Sequence, residues 1–204
     1  MVVMNPKYGR LADDSAIARA VESLKKSGIS AEVVRDGKEA KERLLKLIPE
    51  GAEVMNMTSA TLDSIGASKE IAEGPLFDPV RRKLGAPGDK AEKRRLGAAP
   101  EWAVGSVHAV TEDGKVIVAS ATGSQLPAYA YGAGNVVWVV GAQKIVRNLE
   151  EGLKRVEEYV FPLEDERARK VYGVGSGINK LLILNREVNP GRMRMIIVKE
   201  KLGF

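Results

Sequence analysis

The chain has 204 residues, 44% hydrophobic and 29% charged, a globular composition long enough to bury a sizeable core, and one domain over residues 1–204 is expected. Its 32 Lys and Arg exceed the 27 Asp and Glu by a formal +5, but the two signs are interspersed, which favours small anions over nucleic acid as partners. With no cysteine and one histidine, disulfides, thiolate nucleophiles and protein-built iron–sulfur, zinc or haem sites are excluded or disfavoured, so neither a cofactor nor a metal is expected.

At the amino end, MVVMNPKYGR lacks the apolar core of a signal peptide, and no later run is long enough to cross a membrane. The expectation is a soluble, cytoplasmic protein without a membrane partner. Asp13 or Asp14 can cap a helix to about Lys26, with Ile17, Val21 and Leu24 on one face and Gly28 as its stop. Ser30 to Arg35 alternates like a strand, Gly37 to Ile48 reads as a second helix, and Ala52 to Met57 as a buried strand. The hydroxyls of Thr58, Ser59 and Thr61 then fall at a strand-to-helix junction, where open α/β sheets place ligand loops and where a plain helix cap also belongs.

Ile71 to Ala99 is broken by Gly74-Pro75, Asp78-Pro79 and Ala86-Pro87-Gly88, and reads as a less ordered insert of loops and short helices. Its Arg81-Arg82-Lys83 and Lys93-Arg94-Arg95 clusters read as solvated faces. Val104 to Val110 and Val116 to Ala121 form a hairpin pattern around Asp113-Gly114. Gly123, Ser124 and Gln125 follow as a turn opening a short helix, then Val136 to Val140 as a strand buried on both faces. A helix is expected from about Lys144 to Val160, with Val146, Leu149, Leu153 and Val156 facing the sheet, and another from Glu164 to Val171. After the loop Gly173-Val174-Gly175-Ser176-Gly177, strands Leu181 to Arg186 and Met193 to Lys199 are joined by the turn Asn189-Pro190-Gly191-Arg192.

The segments VGSVHAVTEDGKVIVAS, TGSQLPAYAYG, VVWVVGAQKIVRNLEEGLKRV and GVGSGINKLLILNREVNPGRMRMIIV, in that order, resemble the LUD domain of lactate-utilisation proteins, over roughly Asp14 to Phe204. The resemblance implies an α/β fold with a mostly parallel sheet flanked by helices, of the kind seen in glucosamine-phosphate isomerases, ribose-phosphate isomerases and CoA transferases. It also implies a role in lactate or organic acid metabolism alongside iron–sulfur partner subunits. Two departures stand out. The acidic loop of better-known members appears here as Gly175-Ser176-Gly177-Ile178-Asn179-Lys180, and no cysteine-rich extension is present, so any electron-transfer centre belongs to another chain.

A small carboxylate or phosphate is the expected ligand. Its candidate contacts are Thr58, Ser59 and Thr61, the turn Gly123, Ser124 and Gln125, the loop Gly175, Ser176 and Gly177, and the donors Asn179 and Lys180. These loops are expected to gather at one end of the sheet. The glycine loop is neither a dinucleotide fingerprint, a Walker loop nor a nucleophile elbow. Glu112 is the one candidate for catalysis, because CoA transferases of this general fold use a glutamate in a comparable setting to attack a thioester, yet a charge beside an Asp-Gly turn also serves solubility. His108, within an apolar strand, reads as a packed residue. Three readings stay open: a metabolite-binding family member, a non-catalytic subunit supporting an iron–sulfur lactate-oxidising complex, and a CoA transferase-like or cyclo-ligase-like enzyme. An iron–sulfur partner protein and a homo-oligomer are both compatible with the sequence.

Overall fold

The computed structural model describes residues 4–204. Ten strands form two sheets: β1 (Ser30–Val34), β2 (Glu53–Asn56), β3 (Asp78–Pro79), β4 (Trp102–Gly105), β5 (Ala109–Thr111), β6 (Val116–Ser120), β7 (Asn135–Gly141), β8 (Ile145–Val146), β9 (Lys180–Leu184) and β10 (Met193–Val198). Six of them build a parallel sheet in the order β1-β10-β7-β4-β2-β3, and the other four a mixed sheet in the order β8-β5-β6-β9. The helices are α1 (Asp14–Lys26), α2 (Gly37–Leu47), α3 (Ala60–Ser64), α4 (Ala67–Glu73), α5 (Val80–Gly85), α6 (Lys90–Ala98), α7 (Leu149–Arg155) and α8 (Phe161–Tyr172). The expected α/β class, a mostly parallel sheet flanked by helices, is what the chain adopts.

Alternation along the strands explains the layering. In β7, Val136, Trp138 and Val140 face one core, with Ile17, Ala20 and Leu24 of α1 and Val110, Val116 and Val118 of the mixed sheet. Val137 and Val139 face the opposite core, with Ala40 and Leu44 of α2, Leu62 of α3 and Ile71 of α4. A strand buried on both faces must be apolar at consecutive positions, which is the β7 sequence. The far side of the mixed sheet carries Ala109 and Ile117 against Val156, Tyr159 and Val160, a third core. Helix α1 starts where Asp13 Oδ1 accepts the Ala16 amide at 2.8 Å, and the chain leaves it through Gly28 at φ +80°.

Four expectations change. The Val104 to Val110 segment is not one strand: β4 joins the parallel sheet, the chain switches sheets at Ser106 to His108, and β5 joins the mixed one. A glycine and a serine with no apolar side chain to anchor make that switch possible at Gly105-Ser106. The strands around Asn189 to Arg192 lie in different sheets, β9 beside β6 and β10 between β1 and β7, so this turn ends a crossover. Lys144 does not open a helix; it ends a single 3-10 turn, Ala142–Lys144, and the helical run starts at Asn148, whose Oδ1 accepts the Glu151 amide. That run continues to Tyr172 through a π turn, Val156–Val160, which places Pro162 at the second position of α8, where its missing N–H costs least. The Ile71 to Ala99 segment is largely helical, its breakers separating α4, β3, α5 and α6. No described helix is long and apolar enough to cross a membrane.

Candidate functional site

Because all six strands of the main sheet run the same way, the segments after β2, β4 and β7 leave from one edge, and these strands are neighbours. Lys144, three residues past β7, is 2% exposed and donates from Nζ to Thr61 Oγ1 at 2.9 Å and to Ser106 Oγ at 3.0 Å. One lysine side chain thus ties together segments that follow three strands. Thr61 is itself fixed, since its hydroxyl donates to the Leu202 carbonyl at 3.1 Å. Gln143 holds that tail from the other side, donating to the same carbonyl at 2.9 Å. Gly203, at φ +60°, lets the tail run so close that a Cβ there would press on Thr61.

Two further cations border this point. Arg155 is fully buried; Nε donates to the Gln143 carbonyl at 3.2 Å, Nη1 to the His108 carbonyl, and Nη2 has no partner. Its guanidinium lies 5.2 Å from the Tyr159 ring centre. Arg81 of α5 reaches back to the end of β2, where Nε donates to the Asn56 carbonyl at 2.6 Å and Nη2 to Thr58 Oγ1 at 2.8 Å. Beside it the Asn56 side-chain oxygen is buried without a donor. None of Lys144, Arg155 and Arg81 pairs with a carboxylate among the described residues, whereas most other buried or half-buried cations do, as Arg192 does with Glu187 at 2.6 Å.

Burial without a counter-charge sets the protonation. Lys144 is pushed well below the usual 10.5, first by desolvation and then by the Arg155 charge. Desolvation also lowers Arg155, to about 10, against a small opposing pull from Tyr159, so it stays charged at neutral pH. His108 is lowered to about 3 by desolvation and then by Lys144 and Arg155. The residue is half-buried, and its ring is neutral at pH 7. Its Nδ1 accepts the Ala119 amide at 2.9 Å, which assigns the ring proton to Nε2.

The strand switch lies between two sets of the sequence candidates. On one side are Thr58 and Thr61, with Ser59 capping α3 by accepting the Leu62 amide at 3.3 Å. On the other, the Ala119 carbonyl takes Gln125 Nε2 at 3.2 Å, and the Gly123 amide donates to Ser120 Oγ at 2.8 Å. Ser124 shares a hydroxyl contact with Thr122 at 3.2 Å. Asn179 donates to the Ala121 carbonyl at 3.1 Å and Lys180 to the Thr122 carbonyl at 2.5 Å, so both bind the outside of this turn. The loop Gly175, Ser176 and Gly177 packs on α8 instead, with the Ser176 amide on Asp165 Oδ1 at 2.8 Å. Glu112 sits at the hairpin and pairs with Arg19 at 2.6 Å. No hydrogen bond joins the Thr58 to Thr61 group directly to the Gly123 or Gly175 groups; His108 and Ser106 stand between.

Lys144, Ser106, Arg81 and Arg155 did not emerge as site residues from sequence. Lys144 follows an apolar run, and only the observation that Gly141 to Val146 is buried throughout marks it as unusual. Arg155 lies within the expected helix without a face assigned to it, and the buried stripe runs through Gly152, Arg155, Val156 and Tyr159. No group of three or more His, Cys, Asp or Glu that could hold a metal occurs among the described residues.

The model of the LUD domain family matches residues 17–198. In the crystal structure of a DUF162 family protein from Deinococcus radiodurans the fold is similar, with a TM-score of 0.59 at 14% sequence identity, over 93% of this chain and 99% of that one. No curated protein matches the chain.

Proposed function

Since this chain belongs to the LUD domain family, we propose that it binds a small carboxylate- or phosphate-bearing metabolite at the carboxyl edge of the parallel sheet, in the service of lactate or related organic acid metabolism. The observation that carries this reading is that the guanidinium groups of Arg81 and Arg155 bind segments that leave one edge of the sheet, beside the Lys144 amine, without a carboxylate among them. Buried or half-buried cations are retained in proteins chiefly where a counter-charge meets them, and here the counter-charge has to be brought in. Thr58, Thr61 and Ser106 supply hydroxyls around it, and the Gly123 to Gln125 turn with Asn179 and Lys180 forms the outer wall beyond His108. The glycine loop on α8 and Glu112 stand further out in this reading.

Thermal unfolding in the presence of lactate, pyruvate, inorganic phosphate, sugar phosphates and CoA esters tests it. A true ligand at a hundred times its Kd adds about 2.7 kcal/mol of stability, a shift of roughly 5–10 °C for a chain of this size. Arg81→Ala should reduce that shift at fixed ligand concentration by at least about tenfold in Kd, the magnitude of one charge-assisted contact. Absence of any shift across the panel would refute the reading.

A subunit role in a larger assembly is the second reading. It is favoured by the open edge of the mixed sheet, where β9 pairs on one side only and Leu181 is exposed, and by exposed Val171, Tyr172 and Val174 just before it in sequence.

A further inference from the structure

We propose that Lys144 is a nucleophilic amine that forms an imine with the carbonyl carbon of a small 2-oxo carboxylate. The inference rests on the anion site proposed above and names the chemistry of its substrate. Its basis is geometric: Nζ is held by two neutral hydroxyl oxygens, Thr61 Oγ1 and Ser106 Oγ, with no carboxylate to keep it an ammonium. A lysine whose task was to anchor the three strand ends would be better served by an acidic partner, since an unpaired buried ammonium costs several kcal/mol. The buried surroundings that deny it a counter-charge also favour the uncharged amine, the form that attacks carbonyls. Arg155, whose charge acts on Lys144 and whose Nη2 has no partner, supplies the complementary half, a guanidinium suited to the carboxylate of the same substrate.

In the step, the Nζ lone pair attacks the carbonyl carbon to give a carbinolamine. The carbinolamine oxygen, which has already received one amine proton, takes the second by way of solvent and leaves as water, and a neutral C=N bond replaces the C=O. No oxidant or reductant is required. Ser106 keeps partial exposure whereas Thr61 is buried, so approach is from the Ser106 side, and its hydroxyl is placed to relay the proton to the departing water.

Incubation of the full chain with pyruvate and sodium cyanoborohydride, followed by intact mass measurement and peptide mapping, tests this. The expected result is one reduced adduct on the peptide carrying Lys144, formed at least tenfold faster than on any exposed lysine. Acetone, a carbonyl without a carboxylate, should leave Lys144 unmodified, and lactate, a carboxylate without a carbonyl, should slow modification by pyruvate. Lys144→Arg should lose the adduct while melting cooperatively; if it fails to fold, mapping of the unaltered chain decides alone. Adducts scattered over exposed lysines with Lys144 untouched would overturn the proposal, as would equal labelling by acetone. If pyruvate and lactate stabilise the chain but Lys144 stays unlabelled, the nucleophile is overturned and the anion site survives. If neither stabilises nor labels, both fall.

Discussion

Lys144→Met should stabilise the chain, and the gain should shrink as pH rises. In the unfolded chain Lys144 titrates near the ordinary 10.5, whereas in the folded protein burial and the Arg155 charge hold it well below that value. Between the two, the unfolded state binds one proton more than the folded state. By linkage, that group then makes stability rise with pH, tenfold in the folding equilibrium per pH unit, until the unfolded lysine also deprotonates. Methionine, of similar length and unable to titrate, lacks the dependence. The difference in unfolding free energy between Lys144→Met and the unaltered chain should therefore fall as pH rises toward 9.5, by about 1.4 kcal/mol for each pH unit that lies between the folded and unfolded values. That upper limit keeps Arg155, lowered to about 10, mostly charged. Losing the bonds to Thr61 and Ser106 adds a cost, but neither hydroxyl titrates, so it displaces the difference without altering its slope. Urea unfolding of both proteins at three pH values measures it, with exposed lysines cancelling in the comparison. A difference independent of pH would mean that Lys144 stays charged when folded, and the reasoning from burial would be refuted.

Other outcomes follow from the same geometry. Arg192→Met should cost about 3–5 kcal/mol in urea unfolding, because it strands buried Glu187 and removes donors from the Ala133, Ala128 and Tyr129 carbonyls; a loss under about 1 kcal/mol would contradict it. Gly28→Ala should destabilise by more than the roughly 1 kcal/mol of an ordinary glycine exchange, since the residue has φ +80° and a Cβ would run into the Glu187 carbonyl; equal melting temperatures would count against this. Titration with whichever anion stabilises the chain should show Arg81→Ala weakening binding at least about tenfold and Lys180→Ala less than about threefold, as the Lys180 ammonium is exposed and already donates to Thr122. The reverse order would move the site to the Gly123 side of the strand switch.

Sequence periodicity carried the framework because local rules decide it. Asp13 and Asp36 cap α1 and α2 through their side chains, and the doubly buried β7 is apolar at every step from Val136 to Val140. It misread the places where two sheets compete for one strand. Val104 to Val110 is largely apolar whether it serves one sheet or two, and Gly105-Ser106 permits a change of partners there without specifying it. The same blindness hid the fate of Leu181 to Leu184 and Met193 to Val198, whose separation into two sheets depends on β6 and β7 claiming them as neighbours.

The site was half legible for a related reason. Hydroxyls after a strand are conspicuous, and Thr58, Ser59 and Thr61 stand where the sequence places them. Cations are read by default as solvated, a rule that holds for Lys26, Arg35 and Lys154, each paired four residues away on its own helix or beside its start. It breaks for Arg155 because it shares the buried stripe of Gly152, Val156 and Tyr159, and for Lys144 because the 3-10 turn after β7 has no outward face. A basic side chain without a carboxylate partner in either place is a local violation of the pattern that most of the chain obeys. Such violations persist where function compensates their cost, which is why the two residues least expected from sequence stand closest to the proposed chemistry.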